Sequence, residues 1–362
     1  MDFSDIALLI VAGGKSSRMG QDKRFLSFRG VGLLERLCRK TSRISFAERF
    51  LCVEQVSPEL QELADRFGLT LVTDEREGRG PMEGISRGLG RMKSSYGLAV
   101  SCDMPFLDFR VLRFLLAAAA KNPALRAVLP RTERWQPLAA LYHRDMSETF
   151  AEALQRGDGK LGLVIAEKTH SCVDFPDNVM FFNVNTMADW RLACGRLANE
   201  ERKVPLVTVS APASNTGKTT FIEKLLPRLT ERGIRVGVVK GDCHGYDVDE
   251  EGKDSWRFKK AGASGVAVVS PKGYFIEQRT ERRANLVEMA GRLQDVDLVL
   301  IESRRHGAAP VVSLFRDKGE LELTEDSAAL FCKTPQELRG IQEYSLDDVD
   351  AAVRLVTFLM GN

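Results

Sequence analysis

The apolar run Ile6 to Val11 breaks directly into Ala12-Gly13-Gly14-Lys15-Ser16-Ser17-Arg18-Met19-Gly20-Gln21-Asp22-Lys23, and no other feature constrains the first half of the chain as much. Such a run reads as a buried parallel strand. Glycines let a backbone come close to a bulky anion and turn its N–H groups toward it. Arg18 offers a two-pronged donor and Lys23 a compact charge for phosphate oxygens. The loop follows a strand, where ligands collect in open α/β sheets. A solvent-facing turn accounts for a lone Gly-Gly pair, but not for an arginine, a third glycine and a lysine crowded beside it. The loop lacks the G-x-G-x-x-G spacing, which disfavours a nicotinamide dinucleotide site.

Beyond Lys23 the chain alternates helices and strands, the pattern of a mostly parallel sheet. Leu33, Leu34 and Leu37 fall at helical spacing, and Arg49 to Val53 reads as a strand. A helix over 59–67 ends at Gly68, and Leu69 to Val72 reads as the next strand, followed by Asp74. Asp74 on its own reads as a turn former or cap. Leu98 to Cys102 is an apolar strand that delivers Asp103 to its carboxyl end, where Pro105 breaks it. Such an aspartate is either a cap or a hard oxygen ligand suited to magnesium, which takes one or two carboxylates plus phosphate oxygens. Cys102 reads as a small packed residue. In Phe181-Phe182-Asn183-Val184-Asn185-Thr186, strand periodicity puts Asn183 and Asn185 on one face, with amides that donate and accept.

A charged stretch from Leu192 to Pro205 marks the joint between two domains, set at residues 1–195 and 204–362. A new apolar strand, Leu206 to Ser210, leads into Ala211-Pro212-Ala213-Ser214-Asn215-Thr216-Gly217-Lys218-Thr219-Thr220. This is the end of a P-loop. The lysine reaches phosphates, Thr219 serves a magnesium ion, and the following helix supplies N–H groups. Pro212 stands where the motif has its first glycine. Asp297 to Glu302 reads as a strand ending in a carboxylate that could orient water or the metal.

Bulk properties exclude more than they assign. Lys and Arg number 52 against 50 acidic residues, so bulk charge supports neither nucleic-acid nor membrane attraction. Seven cysteines lack both a C-x-x-C pair and metal-ligand spacing with the four histidines, which suggests reduced thiols. No apolar stretch approaches the ~20 residues of a membrane span. A cytoplasmic enzyme is the expectation.

The first loop resembles the signature of nucleotidyltransferases with a Leu-x-Gly-Gly/Ala-Gly…Arg-Met-Gly…Lys motif. With Gly13-Gly14 and Asp22-Lys23 it is most similar to the molybdenum cofactor guanylyltransferases (MobA-type). Gly80-Pro81-Met82-Glu83-Gly84, Asp103-Met104-Pro105, Trp135 to Tyr142 and the Asn183/Asn185 segment resemble further motifs of that family. The second half, with Gly252-Lys253-Asp254-Ser255 and Ala261-Gly262-Ala263, resembles its GTP-binding partner (MobB-type). Where that family carries two histidines, Gly241 and Cys243 stand here and only His244 remains, which argues against a metal there.

The resemblance implies an α/β chain of two three-layer domains, a nucleotidyltransferase Rossmann-like sheet followed by a P-loop NTPase-like sheet. It implies transfer of GMP from GTP to molybdopterin. Arg18, Lys23 and Asp103 are then catalytic. Ala12, Gly13, Gly14, Lys23, Asp74 and Asp103 bind the nucleotide, as do Asn215, Thr216, Gly217, Lys218, Thr219 and Thr220 in the second half. Asn183 and Asn185 face the pterin, and Mg2+ is held by Asp103 in one half and by Thr219 and Glu302 in the other. Implied partners are acceptor molybdoenzymes and their chaperones, with a homodimer through the second domain as an option. A cytidylyltransferase for the same cofactor and a non-catalytic GTP-regulated molybdopterin carrier stay open as alternatives. Gly13-Gly14 and Met104 favour the guanylyl branch.

Overall fold

A computed structural model describes residues 1–13, 22–76, 78–241, 249–282, 284–304, 308–317 and 319–361. Five positions singled out above, Gly14, Arg18, the third glycine Gly20, Cys243 and His244, fall outside the described residues. The chain divides into two compact units, Met1–Trp190 and Arg191–Asn362.

Unit 1 contains, in chain order, β1 (Ala7–Val11), the short hairpin β2 (Ser27–Phe28) and β3 (Val31–Gly32), α1 (Leu33–Thr41), β4 (Glu48–Val53), α2 (Pro58–Phe67), β5 (Thr70–Thr73), α3 (Pro81–Arg91), β6 (Tyr96–Ser101), α4 (Phe109–Lys121), β7 (Ala127–Arg131), β8 (Ala139–His143), α5 (Met146–Arg156), α6 (Leu161–Ala166) and β9 (His170–Asp174). The main sheet runs β5-β4-β1-β6-β8-β7-β9. Its pairs are parallel except where β8 lies antiparallel between β6 and β7.

All of β1 is buried because its two faces meet different helix layers. Ile6, Leu8 and Ile10 pack with Leu34 and Leu37 of α1, Leu60 of α2 and Leu112 of α4. Leu9 and Val11 pack with Met82, Ile85 and Leu89 of α3 and Phe150 of α5. Helix α3 comes very close: a Cβ on Gly88 would lie 2.9 Å from Leu9 Cδ2 and 3.0 Å from Cys52 Sγ. Helix α2 starts at Ser57, whose hydroxyl accepts from Leu60 N–H, and stops at Gly68 as its sequence indicates.

From β1 the chain crosses to β4 and β5 on one side, then returns to β6 on the other. The carboxyl ends of β1 and β6 therefore flank a topological switch point, where ligands of open α/β sheets bind.

Helix α7 (Met187–Glu200) starts at the end of unit 1 and continues into unit 2. The charged stretch read as a joint thus contributes buried packing. Asn199 is 2% exposed and donates to the carbonyls of Leu206 and Leu359. Unit 2 continues with β10 (Leu206–Ser210), α8 (Lys218–Thr230), β11 (Val236–Lys240), α9 (Asp254–Lys260), the hairpin β12 (Gly265–Ser270) and β13 (Gly273–Gln278), α10 (Leu286–Ala290), β14 (Leu298–Ser303), β15 (Val311–Phe315), β16 (Ser327–Cys332), β17 (Gln342–Ser345) and α11 (Val349–Met360). Its main sheet is parallel throughout, in the order β11-β14-β10-β15-β16-β17. Phe221, Leu225 and Leu229 of α8 and Leu355 and Leu359 of α11 cover Val207 and Val209. Among the described residues, no helix is long and apolar enough to cross a membrane.

Candidate active site

In unit 1 the sheet ends are drawn out by backbone bonds that continue the ladder. Ala12 N–H donates to Cys52 O at 2.8 Å, Asp74 N–H to Val53 O at 3.1 Å, and Cys102 N–H to Val11 O at 3.2 Å. Asp103 follows at the switch point and is 5% exposed.

Lys23 arrives from a different segment. Asp22 caps a short turn, Lys23–Phe25, by accepting from Arg24 N–H, and the Arg24 guanidinium grips the same carboxylate while reaching Ala12 O at 3.3 Å. This brace aims Lys23 across the sheet, and its Nζ lies 2.6 Å from Asp103 Oδ2. Burial opposes the Lys23 charge, but attraction to Asp103 prevails and holds its pKa above the usual lysine value. The other oxygen, Asp103 Oδ1, is buried with no hydrogen-bond partner among the described residues.

Asp74 lies at the end of β5. A Cβ on Gly13 would lie 3.6 Å from its Oδ2, and one on Gly84 3.6 Å from its Oδ1. Burial first, then the carboxylates of Glu83 and Glu54, push Asp74 up to about 7, with Arg87 opposing. Gly80 and Pro81 open α3. Gly84 serves close packing: a Cβ there would lie 3.2 Å from Cys52 Cβ.

The asparagine segment differs from its reading as a strand. Val179–Phe181 is a single turn of 3-10 helix, and 182–185 run as a loop outside any strand. The loop is held by the backbone of Asp103, whose carbonyl accepts from Val184 N–H at 2.9 Å. Buried Val184 thus anchors it, leaving Asn183 half-buried and Asn185 exposed on either side. Asn183 Nδ2 donates to Phe181 O at 2.9 Å. Strand periodicity failed here because a single anchoring bond to a strand end replaces a ladder. Cys102 is packed as expected, and burial pushes its thiol up to about 12.

In unit 2 the glycine loop joins β10 to α8. Asn215 at φ +59° and Gly217 at φ +92° supply its left-handed turns, so the loop forms with Pro212 at its start. Thr216 Oγ1 donates to Ala213 O at 2.7 Å, and Lys218 Nζ to the same carbonyl at 3.2 Å. Thr219 Oγ1 lies 3.1 Å from both Oε1 and Oε2 of Glu302, which β14 delivers buried. Thr220 is exposed one residue further along.

A family model described as MobA-like NTP transferase domain matches residues 8–171, and one described as molybdopterin guanine dinucleotide synthesis protein B matches residues 206–332. A probable molybdenum cofactor guanylyltransferase of Natronomonas pharaonis is 32% identical over 169 residues, covering 46% of this chain and 82% of that protein. A molybdopterin-guanine dinucleotide biosynthesis adapter protein of Escherichia coli is 40% identical over 118 residues, covering 32% of this chain and 67% of its own. The chain belongs to the molybdenum cofactor guanylyltransferase family, fused to a MobB domain. The solved molybdopterin-guanine dinucleotide biosynthesis protein A of Archaeoglobus fulgidus is 21% identical, with a TM-score of 0.45 over 52% of this chain and 96% of that one.

Within the guanylyltransferase half, sequence reasoning missed Asp22, Arg24 and Glu83 as parts of the site. The first two were legible as an Asp-x-Arg cap. The third was not, because Glu83 acts through its closeness to Asp74 and through the Glu75 N–H, from which it accepts at 3.2 Å.

Proposed function

We infer that this chain transfers GMP from GTP to molybdopterin, releasing pyrophosphate and forming the guanine dinucleotide. The transfer chemistry belongs to residues 1–195, and the adaptor role to residues 204–362. One observation carries the reading: Lys23 and Asp103 meet at the switch point, with Asp103 Oδ1 buried and, among the described residues, unpartnered beside them.

An orphaned carboxylate oxygen is what a hard cation ligand looks like before the cation is counted. Mg2+ is commonly held by one or two carboxylates plus substrate phosphates, so a single aspartate at this point suffices. Asp103 would hold it in unit 1, and Thr219 with Glu302 in unit 2. Bound there, the ion supplies charge neutralisation for phosphate oxygens.

The chain's own residues position and neutralise. A phosphate oxygen of the pterin forms a bond to the α-phosphorus of GTP as the bond to the β-phosphate oxygen breaks, and pyrophosphate leaves with that electron pair. Lys23 stays protonated beside Asp103 and offers its charge to the phosphates, joined by Arg18 from the loop. Ala12 and Gly13 present backbone to the nucleotide, with Asp74 beside Gly13, and Gly14 is assigned the same role from its place in the sequence motif. Asn183 and Asn185, tied to Asp103 through Val184, face the pterin. The decisive measurement is pyrophosphate release with chromatography of the pterin product, in competition among GTP, CTP and ATP. Product from CTP but not GTP would move the assignment to the cytidylyl branch, and no pyrophosphate at all would leave a carrier.

A further inference from the structure

Unit 2 gathers more positive charge around its glycine loop than the loop motif supplies. Arg304 donates from Nε to Pro212 O at 3.0 Å, and Lys240 Nζ lies 4.0 Å from Glu302 Oε1. Burial first, and then repulsion from Arg304 and Lys240, hold the Lys218 pKa below its usual value, against the pull of Glu302.

A fourth cation comes from outside the motif. Arg316 follows β15, the strand beside β10 in the sheet, with Ser210 opposite Ser313. A Cβ built on Gly217 would lie 3.4 Å from Arg316 Nη2 and 3.5 Å from its Cζ. The guanidinium therefore rests against the residue that precedes Lys218, within van der Waals contact of where a side chain at 217 would begin. Arg316 forms no ion pair among the described residues. Asp347 feels its charge but pairs with Lys224 at 3.0 Å instead.

We propose that Arg316 engages the phosphate tail of a nucleotide held by the Gly217-Lys218-Thr219 loop and sets its preference for triphosphate over diphosphate. This rests on the reading of that loop as a nucleotide site. The loop N–H groups and Lys218 serve either nucleotide. An arginine with no carboxylate partner adds attraction that grows with the charge of the tail, and its fork can meet two phosphate oxygens at once.

The test is calorimetric titration of GTP and of GDP into the intact chain and its Arg316→Ala, Arg316→Lys and Lys218→Ala variants. The Lys218→Ala chain, which keeps only the unit 1 site, sets the baseline. Arg316→Ala is expected to raise Kd for GTP at the second site by about tenfold or more, and for GDP by less than about threefold. Arg316→Lys should fall between Arg316→Ala and the parent, since it keeps the charge and loses the fork. Equal losses for GTP and GDP, or no loss, with second-site binding gone in Lys218→Ala, would overturn the role of Arg316 alone. Two intact sites in Lys218→Ala would overturn the reading of the loop, and the inference with it.

Discussion

Lys23 Nζ and Asp103 Oδ2 lie 2.6 Å apart although 80 residues separate them in the chain. The pair joins a loop turn to a strand end, so each partner has both a chemical and a structural consequence when removed. Asp103→Asn keeps the volume and a hydrogen-bond acceptor, but a neutral amide is a poor ligand for a hard cation. Transfer should fall at least about tenfold, or ~1.4 kcal/mol in activation free energy, with little change in fold. A rate within about twofold of the parent would show that the carboxylate is not used.

Lys23→Ala should do two things at once. It removes a charge from the phosphates, raising KM for GTP or lowering kcat. It also strands a buried carboxylate, costing about 1–3 kcal/mol of unit 1 stability. Thermal unfolding near neutral pH reads the second effect. Adding Asp103→Asn to Lys23→Ala should restore part of that stability, because the stranded charge is gone. A double variant less stable than Lys23→Ala would show that the carboxylate is not strained by losing its lysine.

Asp74 should make the stability of unit 1 fall as pH rises. Its folded pKa is about 7 against an ordinary 3.8, so between these values the folded state binds more protons than the unfolded one. Stability from this group is present below about pH 4 and lost as pH climbs through about 7. Asp74→Asn should therefore raise the unfolding midpoint at about pH 8 and leave it nearly unchanged at about pH 4. A midpoint difference independent of pH would show that Asp74 ionises normally.

Gly88→Ala tests the closeness of α3 to β1. The added methyl would meet Leu9 Cδ2 at 2.9 Å and Cys52 Sγ at 3.0 Å in a packed core. Overpacking of this kind costs about 1–3 kcal/mol. Unchanged thermal stability would mean that α3 shifts freely, and with it Gly84 and the Asp74 surroundings.

Separable duties are expected of the two glycine loops. Lys218→Ala should leave product formation by the intact chain in place with purified components, because unit 1 has its own loop and carboxylate. The covalent link keeps one half at a raised effective concentration near the other. Activation of an acceptor enzyme is where the loss of Lys218 should be felt. If Lys218→Ala stops product formation as fully as Asp103→Asn, the second loop belongs to the transfer cycle.

Local pattern was enough for the strands that lead into the candidate site residues. A strand buried on both faces is a continuous apolar run, so β1, β6, β10 and β14 were legible, and the residues at their carboxyl ends followed by adjacency. Glycine and lysine spacing marked the two loops for the same reason: their chemistry is contained in a few consecutive residues. What only the tertiary structure decided depends on contacts between distant segments. These include the Lys23–Asp103 pair, the antiparallel entry of β8 between β6 and β7, and the raised Asp74. They also include the Asn183–Asn185 loop tied to Asp103, and Arg316 against Gly217. A residue's neighbours in sequence fix its local geometry, but the charge and the surface it meets are set by whichever segment packs against it.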